Sequence, residues 1–251
     1  MTARSFLGAG DVYLEAIVGG VGQGLIGPIY ADKLELKPDV DTKQSTSKGR
    51  HDYGQVLETV NLGKPTELTL DLKEVVGNIL VMAFQGTAEA LDQASGTLAA
   101  TSYTAKLGKW VSLNHLNFLT VVVKDSAAAT TYVEGTDYKV NKDLGLLQAI
   151  DGGAIEDMDV VKVNGTYAAA TGTIIKGQTN VDIRARILFD GINQADGTQA
   201  TVEVYEAVIT ADSAFDFLAN DFGVVSLKGT VKTPAGKDEP YTVTIQDPVA
   251  A

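Results

Sequence analysis

A polar stretch of 18 residues, 37–54, is the sequence feature that most limits the fold. Its only apolar-type side chains are Val40 and Tyr53. After it, from Val56 to Leu72, apolar residues recur at the two-residue period of a half-buried strand. Hairpin loops in compact domains usually have about 2–5 residues. The stretch is therefore predicted to be either a disordered loop or a binding loop.

The apolar period changes to that of a helix from Lys73 onward. Gly86 is placed to end this helix, which is predicted over about residues 73–85. A protruding loop, a short sheet and one packed helix together favour a subunit that docks onto copies of itself. The side chains at helical spacing are Leu72, Val75, Val76, Ile79, Leu80 and Ala83.

Most of the remaining chain has strand-like patterns. Residues 118–123 are apolar enough to predict a strand buried on both faces or nearly so. Even spacing with turn signals is typical of a sandwich or barrel. The sequence therefore predicts a mainly β fold, a β-sandwich or barrel with one flanking α-helix. The segments 11–18 and 29–37 are predicted to pair across a glycine-rich turn at 19–27. The other predicted strands are 131–133, 138–140, 144–150, 159–163, 183–189, 201–209, 224–231 and 241–245, with a turn at 190–197.

Two segments rich in small residues divide the chain, at 88–105 and 166–177. Between them, residues 106–168 have their own strand rhythm and no helical pattern. We predict a small inserted β domain there. The core would then be discontinuous, made of residues 1–105 and 169–251.

Composition excludes several functional classes. The 251-residue chain has no cysteine, which excludes disulfides and thiol chemistry, and its formal net charge of −12 argues against a nucleic-acid clamp. No apolar run reaches the roughly 18 residues needed to span a bilayer. Residues 1–8 have no apolar signal-peptide region, so the chain is predicted to be made and assembled in the cytoplasm, without a membrane partner.

Few residues suggest catalysis. Residues 22–27 match G-x-G-x-x-G, but Pro28 follows at once where a dinucleotide site needs a helix, so a hairpin loop is favoured. His51 and His115 are the only histidines. His51 is interpreted as a solvated or interface residue, and His115 as a strand or turn residue. No acidic cluster has the spacing of a calcium loop. We predict no enzyme, no cofactor and no metal site.

Charge is unevenly distributed in the C-terminal third. Residues 187–227 contain no Lys or Arg. The pattern is typical of a solvated sheet face with its turns, or of a one-signed surface or lumen that repels DNA. Basic side chains collect instead in the polar stretch, which would complement another copy of the acidic body. The acidic residues are Asp190, Asp196, Glu203, Glu206, Asp212, Asp216 and Asp221.

These segments, in this order, resemble the tail tube proteins of long-tailed bacteriophages. The resemblance lies in the strand pair 11–18 and 29–37, the polar stretch, and the later segments TELTLDL at 66–72, VMAFQG at 81–86, RARILFDG at 184–191, VEVY at 202–205 and residues 215–227. The insert, with YVEGTDY at 132–138, is similar to a small β module of phage structural proteins. Together these segments cover most of the chain.

The resemblance implies a structural role in the tail of the virion. Six copies would form a ring, and stacked rings would form a tube that encloses a tape-measure protein and later conducts DNA. Tail-tip and terminator proteins would be further partners, and the insert would lie on the outer surface. The loop reaching the neighbouring ring would contain Asp39, Asp41, Lys43, Lys48, Arg50, His51, Asp52 and Tyr53.

Two other functional classes remain open from the sequence. One is a binding module, a virion-surface decoration protein or an adhesin-type β-sandwich. The other is a nucleotide-dependent enzyme, which rests only on the glycine pattern at residues 22–27.

Overall fold

The computed structural model describes residues 5–246. Residues 1–4, part of the segment without a predicted signal peptide, and residues 247–251 lie outside the described residues. The described chain is mainly β, as predicted, with one helix, α1 (Gly77–Ala83). The strands are β1 (Gly8–Val18), β2 (Val21–Ile29), β3 (Ala31–Thr46), β4 (Val56–Leu72), β5 (Thr87–Gln93), β6 (Gly96–Thr104), β7 (Trp110–Ser112), β8 (Phe118–Lys124), β9 (Tyr138–Asn141), β10 (Leu146–Ala149), β11 (Val160–Tyr167), β12 (Ala170–Lys176), β13 (Ile183–Asn193), β14 (Gln199–Ala211), β15 (Val225–Val231) and β16 (Tyr241–Ile245).

The chain divides into two compact units. Unit 1 contains the described residues up to Ala88 and from Ile175 onward, and unit 2 is Glu89–Ile174. Unit 2 is wider than the predicted insert because segment 88–105, interpreted as a boundary, forms most of β5 and all of β6. Small Ala, Thr and Ser side chains are compatible with this strand because most of β6 is exposed to solvent.

Unit 1 is built on one large antiparallel sheet with the strand order β2-β1-β13-β14-β15-β4-β3, and β16 also pairs with β14. Residues of β1, β3 and β16 line the same apolar cavity of about 440 Å³, although β1 and β3 lie near opposite ends of this order. The sheet therefore curls over itself and encloses a core. The result is a β-sandwich-like fold.

The core of unit 1 comes from strands that alternate buried and exposed side chains. On β13, Ile183, Ala185 and Ile187 are buried, and Val204 and Ile209 of β14 meet them on the same face. Strands of period two bury one face and expose the other, which explains why these strands were recognisable in the sequence. The burial of such side chains is the main source of stability.

Helix α1 is shorter than predicted. The sequence predicted residues 73–85, but the helix spans Gly77–Ala83. Lys73 continues the strand geometry because its N–H donates to the Tyr30 carbonyl at 2.9 Å, and Val76 is still extended. Past the helix, Gln85 adopts a positive φ of 49° and Gly86 N–H donates to Val81 O at 2.9 Å. Apolar spacing alone therefore placed the first turn too early.

The first strands also pair differently from the prediction. The predicted glycine-rich turn at 19–27 is wrong, because Gly19 and Gly20 alone make the turn, with φ of 59° and 83°. Residues 22–27 lie in β2 and pair with β1. Of residues 29–37, only Ile29, the last residue of β2, pairs with the segment 11–18, opposite Val12. Residues 31–37 lie in β3, which pairs with β4 and not with β1. The glycines of β2 predicted a turn because glycine is frequent in turns. These residues nevertheless form an exposed edge strand because they pair with β1.

Unit 2 has its own core. It contains the sheets β6-β11-β8 and β7-β10-β9, which bury Leu113, Val123, Val161 and Val163. The prediction that 118–123 is buried on both faces is wrong, because Leu119 is 64% exposed. Strand β8 lies at one side of a three-stranded sheet, where one face packs on the core and the other meets solvent.

Asp137 ties together two loops of unit 2. Its carboxylate accepts the Val133 N–H at 2.8 Å and the Ala154 N–H at 2.9 Å. These two backbone donors hold the pKa of Asp137 below its ordinary value. The ionised side chain therefore stabilises the folded unit.

We expect Asp137→Asn to lower the melting temperature of unit 2 by several degrees at pH 7, because the two N–H groups bind different carboxylate oxygens and an amide keeps an acceptor oxygen at only one of these positions. Since the folded pKa lies below the unfolded value of about 3.9, the stabilisation is present above that pH and is lost as the pH falls through the folded pKa. Thermal melts at pH 7 and pH 3 measure this. A difference between variant and wild type that is equally large at pH 3 would contradict it.

Candidate functional site

The long polar stretch is a β-hairpin, not a loop. Strands β3 and β4 pair from Ala31↔Leu72 to Thr46↔Val56, so residues 37–46 continue the strand. The predicted loop is wrong over these residues. Alternating apolar side chains indicate a strand with one buried face, but beyond its base this hairpin exposes both faces. Residues 37–46 therefore show no alternation, and residues 56–62, which do alternate, are exposed and not half-buried as predicted. We call residues 38–65 the arm and residues 47–55 the arm tip.

Polar contacts across the arm hold its two strands in register. Lys64 Nζ and Asp39 Oδ2 form a cross-strand ion pair at 3.1 Å. The Lys64 ammonium and the Val40 N–H hold the pKa of Asp39 below its ordinary value. Lys43 pairs with Asp41 at 2.8 Å on the same strand. Three of the predicted inter-ring residues, Asp39, Asp41 and Lys43, therefore lie on strand β3 of the arm and not in the arm tip.

The arm tip is a compact turn closed by backbone hydrogen bonds. Ser47 N–H donates to Gln55 O at 2.8 Å, and Gly54 N–H donates to Ser47 O at 2.8 Å. Ser47 Oγ also accepts the Gly49 N–H at 3.0 Å. The tip therefore presents its side chains from an ordered frame. It brings together the five remaining predicted residues, Lys48, Arg50, His51, Asp52 and Tyr53.

The arm exposes apolar side chains to solvent. The first ten residues of β4 are all exposed, which corresponds to a projection of about 33 Å at roughly 3.3 Å per residue. A two-stranded hairpin alone is at best marginally stable in water, and contiguous exposed apolar surface is typical of a binding surface. The arm therefore has the properties of a segment that another molecule covers. Its exposed apolar residues are Val40, Tyr53, Val56, Leu57, Val60 and Leu62.

The seven acidic residues of the C-terminal region do not act as one unpaired surface. Glu203, Glu206 and Asp212 form ion pairs with cations among residues 5–246, so the predicted one-signed surface is wrong for these three. The cations lie just outside the cation-free window 187–227, on β13 and directly after or within β15, and pairing across strands brings them together. The pairs are Glu203 with Arg186, Glu206 with Arg184 and Lys232, and Asp212 with Lys228.

Arg186 joins two strands on the sheet face opposite the core. Its Nη1 contacts Glu15 Oε2 of β1 at 3.2 Å, and its Nε donates to Glu203 Oε1 of β14 at 2.9 Å. These carboxylates hold the pKa of Arg186 above its ordinary value, Glu203 most strongly. The side chains of Arg186, Glu15 and Glu203 are only partly exposed, so their ion pairs are stronger than a fully solvated ion pair.

We expect Arg186→Ala to lower the free energy of unfolding by about 1–2 kcal/mol, because Glu15 and Glu203 are left as like charges without their donor. Urea denaturation measures this loss. The matched control is Lys43→Ala, whose ion pair with Asp41 is exposed and should cost less than about 1 kcal/mol. Equal losses for the two variants would show that the position of the cation is unimportant.

The other four acidic residues lie at strand ends and in a connection. Asp190 lies within β13, opposite Asp11, and not in the predicted turn. Asp196 accepts the Thr198 N–H at 3.0 Å in the turn that follows β13. Asp216 and Asp221 lie between β14 and β15, in residues 212–224, which we call the Phe loop.

The Phe loop exposes large apolar side chains between its carboxylates. Leu218 is 90% exposed and Phe222 is 96% exposed. Phe217 stacks on Phe84 beside α1 with ring centroids 5.8 Å apart, and Phe215 packs edge-on against Phe217 at 4.9 Å. One side of the loop is therefore anchored on unit 1, while its outer side lacks a cover within the described residues.

One family model matches most of the chain. It is described as "Protein of unknown function UCP028589" and matches residues 5–239. The chain belongs to this family. The match to UCP028589 includes the arm and the Phe loop, so both are within the region common to the family model. No curated protein matches the chain.

The remaining predicted candidates do not come together. The glycine pattern at 22–27 is a strand without the helix that a dinucleotide site requires. His51 lies at the arm tip, and His115 of unit 2 stacks on Tyr167 at 4.1 Å. Among residues 5–246 there is no group of three or more side chains that could hold a metal ion. None of the helical structure in that range is long and apolar enough to cross a membrane.

The sequence reasoning missed the Phe loop. It compared residues 215–227 with later strands of tail tube proteins and counted the carboxylates there, but it did not identify Phe217, Leu218 and Phe222 as exposed loop residues. The signal was present, because aromatic residues recur there without the period of a strand or helix and close to Asp residues. Apolar residues without a period cannot all face one core, so some of them are left on the surface.

Proposed function

We propose that the chain is a structural subunit that assembles into stacked rings and forms the tail tube of a long-tailed bacteriophage. The tube would be the conduit through which DNA is delivered. The observation that carries this proposal is the arm, which is ordered, projects about 33 Å at roughly 3.3 Å per residue, and exposes apolar side chains. An arm with these properties fits a partner outside its own subunit.

The open edges of the unit 1 sheet support the same proposal. Strands β2 and β3 end the hydrogen-bonded order, and such edges pair with other chains unless they are protected. In a closed ring each edge meets the next subunit, which removes the hazard of uncontrolled aggregation. The sheets of neighbouring copies would then form the wall of the tube.

The remaining features of the proposal follow from the resemblance to tail tube proteins. Rings would be hexameric, and the tube would enclose a tape-measure protein and meet tail-tip and terminator proteins. The subunit would be assembled in the host cytoplasm and become part of the virion tail. It would have no catalytic step and no cofactor. The formal net charge of −12 supports passage of DNA without specific binding.

Negative-stain electron microscopy across a concentration series tests the proposal. Rings or hollow tubes of uniform width, appearing above a threshold concentration, are the expected result. Dispersed monomers or trimers at every concentration, also after addition of preformed tail tips, would reject the tube subunit and favour a decoration or adhesin-type module.

A further inference from the structure

The arm and the Phe loop leave the same sheet at opposite ends. Strands β15 and β4 pair antiparallel, with Thr230 opposite Glu67 at the base of the arm. At the other end of this ladder, Val225 is opposite Leu72, and the Phe loop ends directly before Val225. Two copies placed one behind the other along the strand direction would therefore bring the arm of one toward the Phe loop of the other.

The two surfaces have opposite charges. The arm tip carries Lys48 and Arg50, both exposed and without an ion pair among residues 5–246, against one acidic residue, Asp52, so its net charge is positive. The Phe loop contains no Lys or Arg, and its exposed Asp216 and Asp221 use one oxygen each to accept the N–H groups of Leu218 and Phe222, at 2.8 and 2.7 Å. Their carboxylates keep capacity for further donors.

Both surfaces also offer apolar side chains that lack a cover. Tyr53 at the arm tip is 78% exposed, and Phe222 on the Phe loop is more exposed still. Aromatic side chains are enriched at the centres of protein interfaces, and charged residues form the rim. An aromatic contact flanked by opposite charges matches that arrangement.

We propose that the arm tip of one copy docks on the Phe loop of the next copy, head to tail. This inference rests on the proposed function and names the surface that receives the arm. A tip facing a tip, or a loop facing a loop, would place like charges together, which favours the head-to-tail contact over a symmetric one. A contact between two different surfaces of the same chain continues from copy to copy, so it builds a stack.

Charge reversal on each surface tests the proposal with the full chain. The arm variant is K48E/R50E, the loop variant is D216K/D221K, and the combined variant carries all four changes. Each single-surface variant should raise the threshold concentration for tube formation at least about tenfold, and the combined variant should restore it to near the wild-type value. Sedimentation and negative-stain microscopy give the threshold.

Two controls isolate the contact. K139E/K142E makes the same charge change on exposed residues of unit 2 and should leave the threshold unchanged. L218S/F222S removes only the apolar part of the acceptor and should raise the threshold without changing charge. Circular dichroism melts show whether each variant is folded, and all the changed side chains are exposed.

The outcomes separate this inference from the proposed function. If the arm variant has a raised threshold and the combined variant does not return to the wild-type threshold, the arm is needed but the Phe loop is not its acceptor. This outcome would overturn the inference and leave the proposed function standing. Single-surface variants with the wild-type threshold would also overturn it. A wild-type chain that never forms rings or tubes would overturn both.

Discussion

Replacing residues 40–63 with an Asn-Gly turn between Asp39 and Lys64 is expected to leave the subunit folded and to abolish tube formation. The cross-strand ion pair of Asp39 with Lys64 marks a register at which the shortened hairpin closes. Ser47 is the only buried residue that is removed, and it is buried within the arm tip itself. The melting temperature should therefore change by only a few degrees, while no tubes should form at any concentration tested.

Circular dichroism and negative-stain microscopy on the same preparation measure both parts of this prediction. The matched control is L119S/M158S, which removes exposed apolar side chains from unit 2 and should still form tubes. Normal tubes from the shortened chain would show that the arm has no part in assembly. A large loss of stability would show that the arm belongs to the core.

Gly145→Ala is expected to destabilise unit 2 by about 3 kcal/mol or more. Gly145 has a φ of +59°, which disfavours a side chain, and an added Cβ would overlap the His115 carbonyl oxygen. Either the loop at His115 or the strand entry at Leu146 would have to move. Gly135→Ala is the matched control, with a φ of +88° but nothing within 4 Å of the added atom. It should cost only about 1–2 kcal/mol.

Tryptophan fluorescence during urea denaturation is the measurement suited to this prediction. The chain has one tryptophan, Trp110, and it lies in unit 2, so its emission follows the unfolding of that unit. Equal losses of stability for Gly145→Ala and Gly135→Ala would mean that backbone conformation, and not the close approach to His115, sets the cost.

The sequence predicted best those strands that bury one face. Strand β15 differs from its prediction by one residue, because its side chains alternate between buried and more exposed positions. Strand β16 has the predicted bounds although none of its residues is buried. Ile183 and Ile187 of β13 follow the same rule. The mainly β fold is confirmed for this reason. The sandwich follows from many such strands packing together.

The mispredicted segments are those whose structure depends on strand pairing with distant residues or on exposure of both faces to solvent. In the first strand of the arm, residues 37–46 are polar except for Val40 and both faces lie in solvent, so this strand lacks an apolar period. Strand β2 was hidden by its glycines, and the partners of Glu203 and Glu206 became visible only when β13 and β15 were placed beside β14. Long-range pairing, not local preference, decides these elements.

The antiparallel pair of β1 with β13 has a consequence for the order of events during synthesis. Gly8 of β1 lies opposite Asn193 of β13, so β1 cannot pair with β13 until the whole of unit 2 has been synthesised. Unit 2 is continuous in sequence and is free to fold while the chain is still growing. The Phe loop emerges later than β13. A nascent chain therefore carries an arm before it carries an acceptor, and only a finished chain has both ends of the contact.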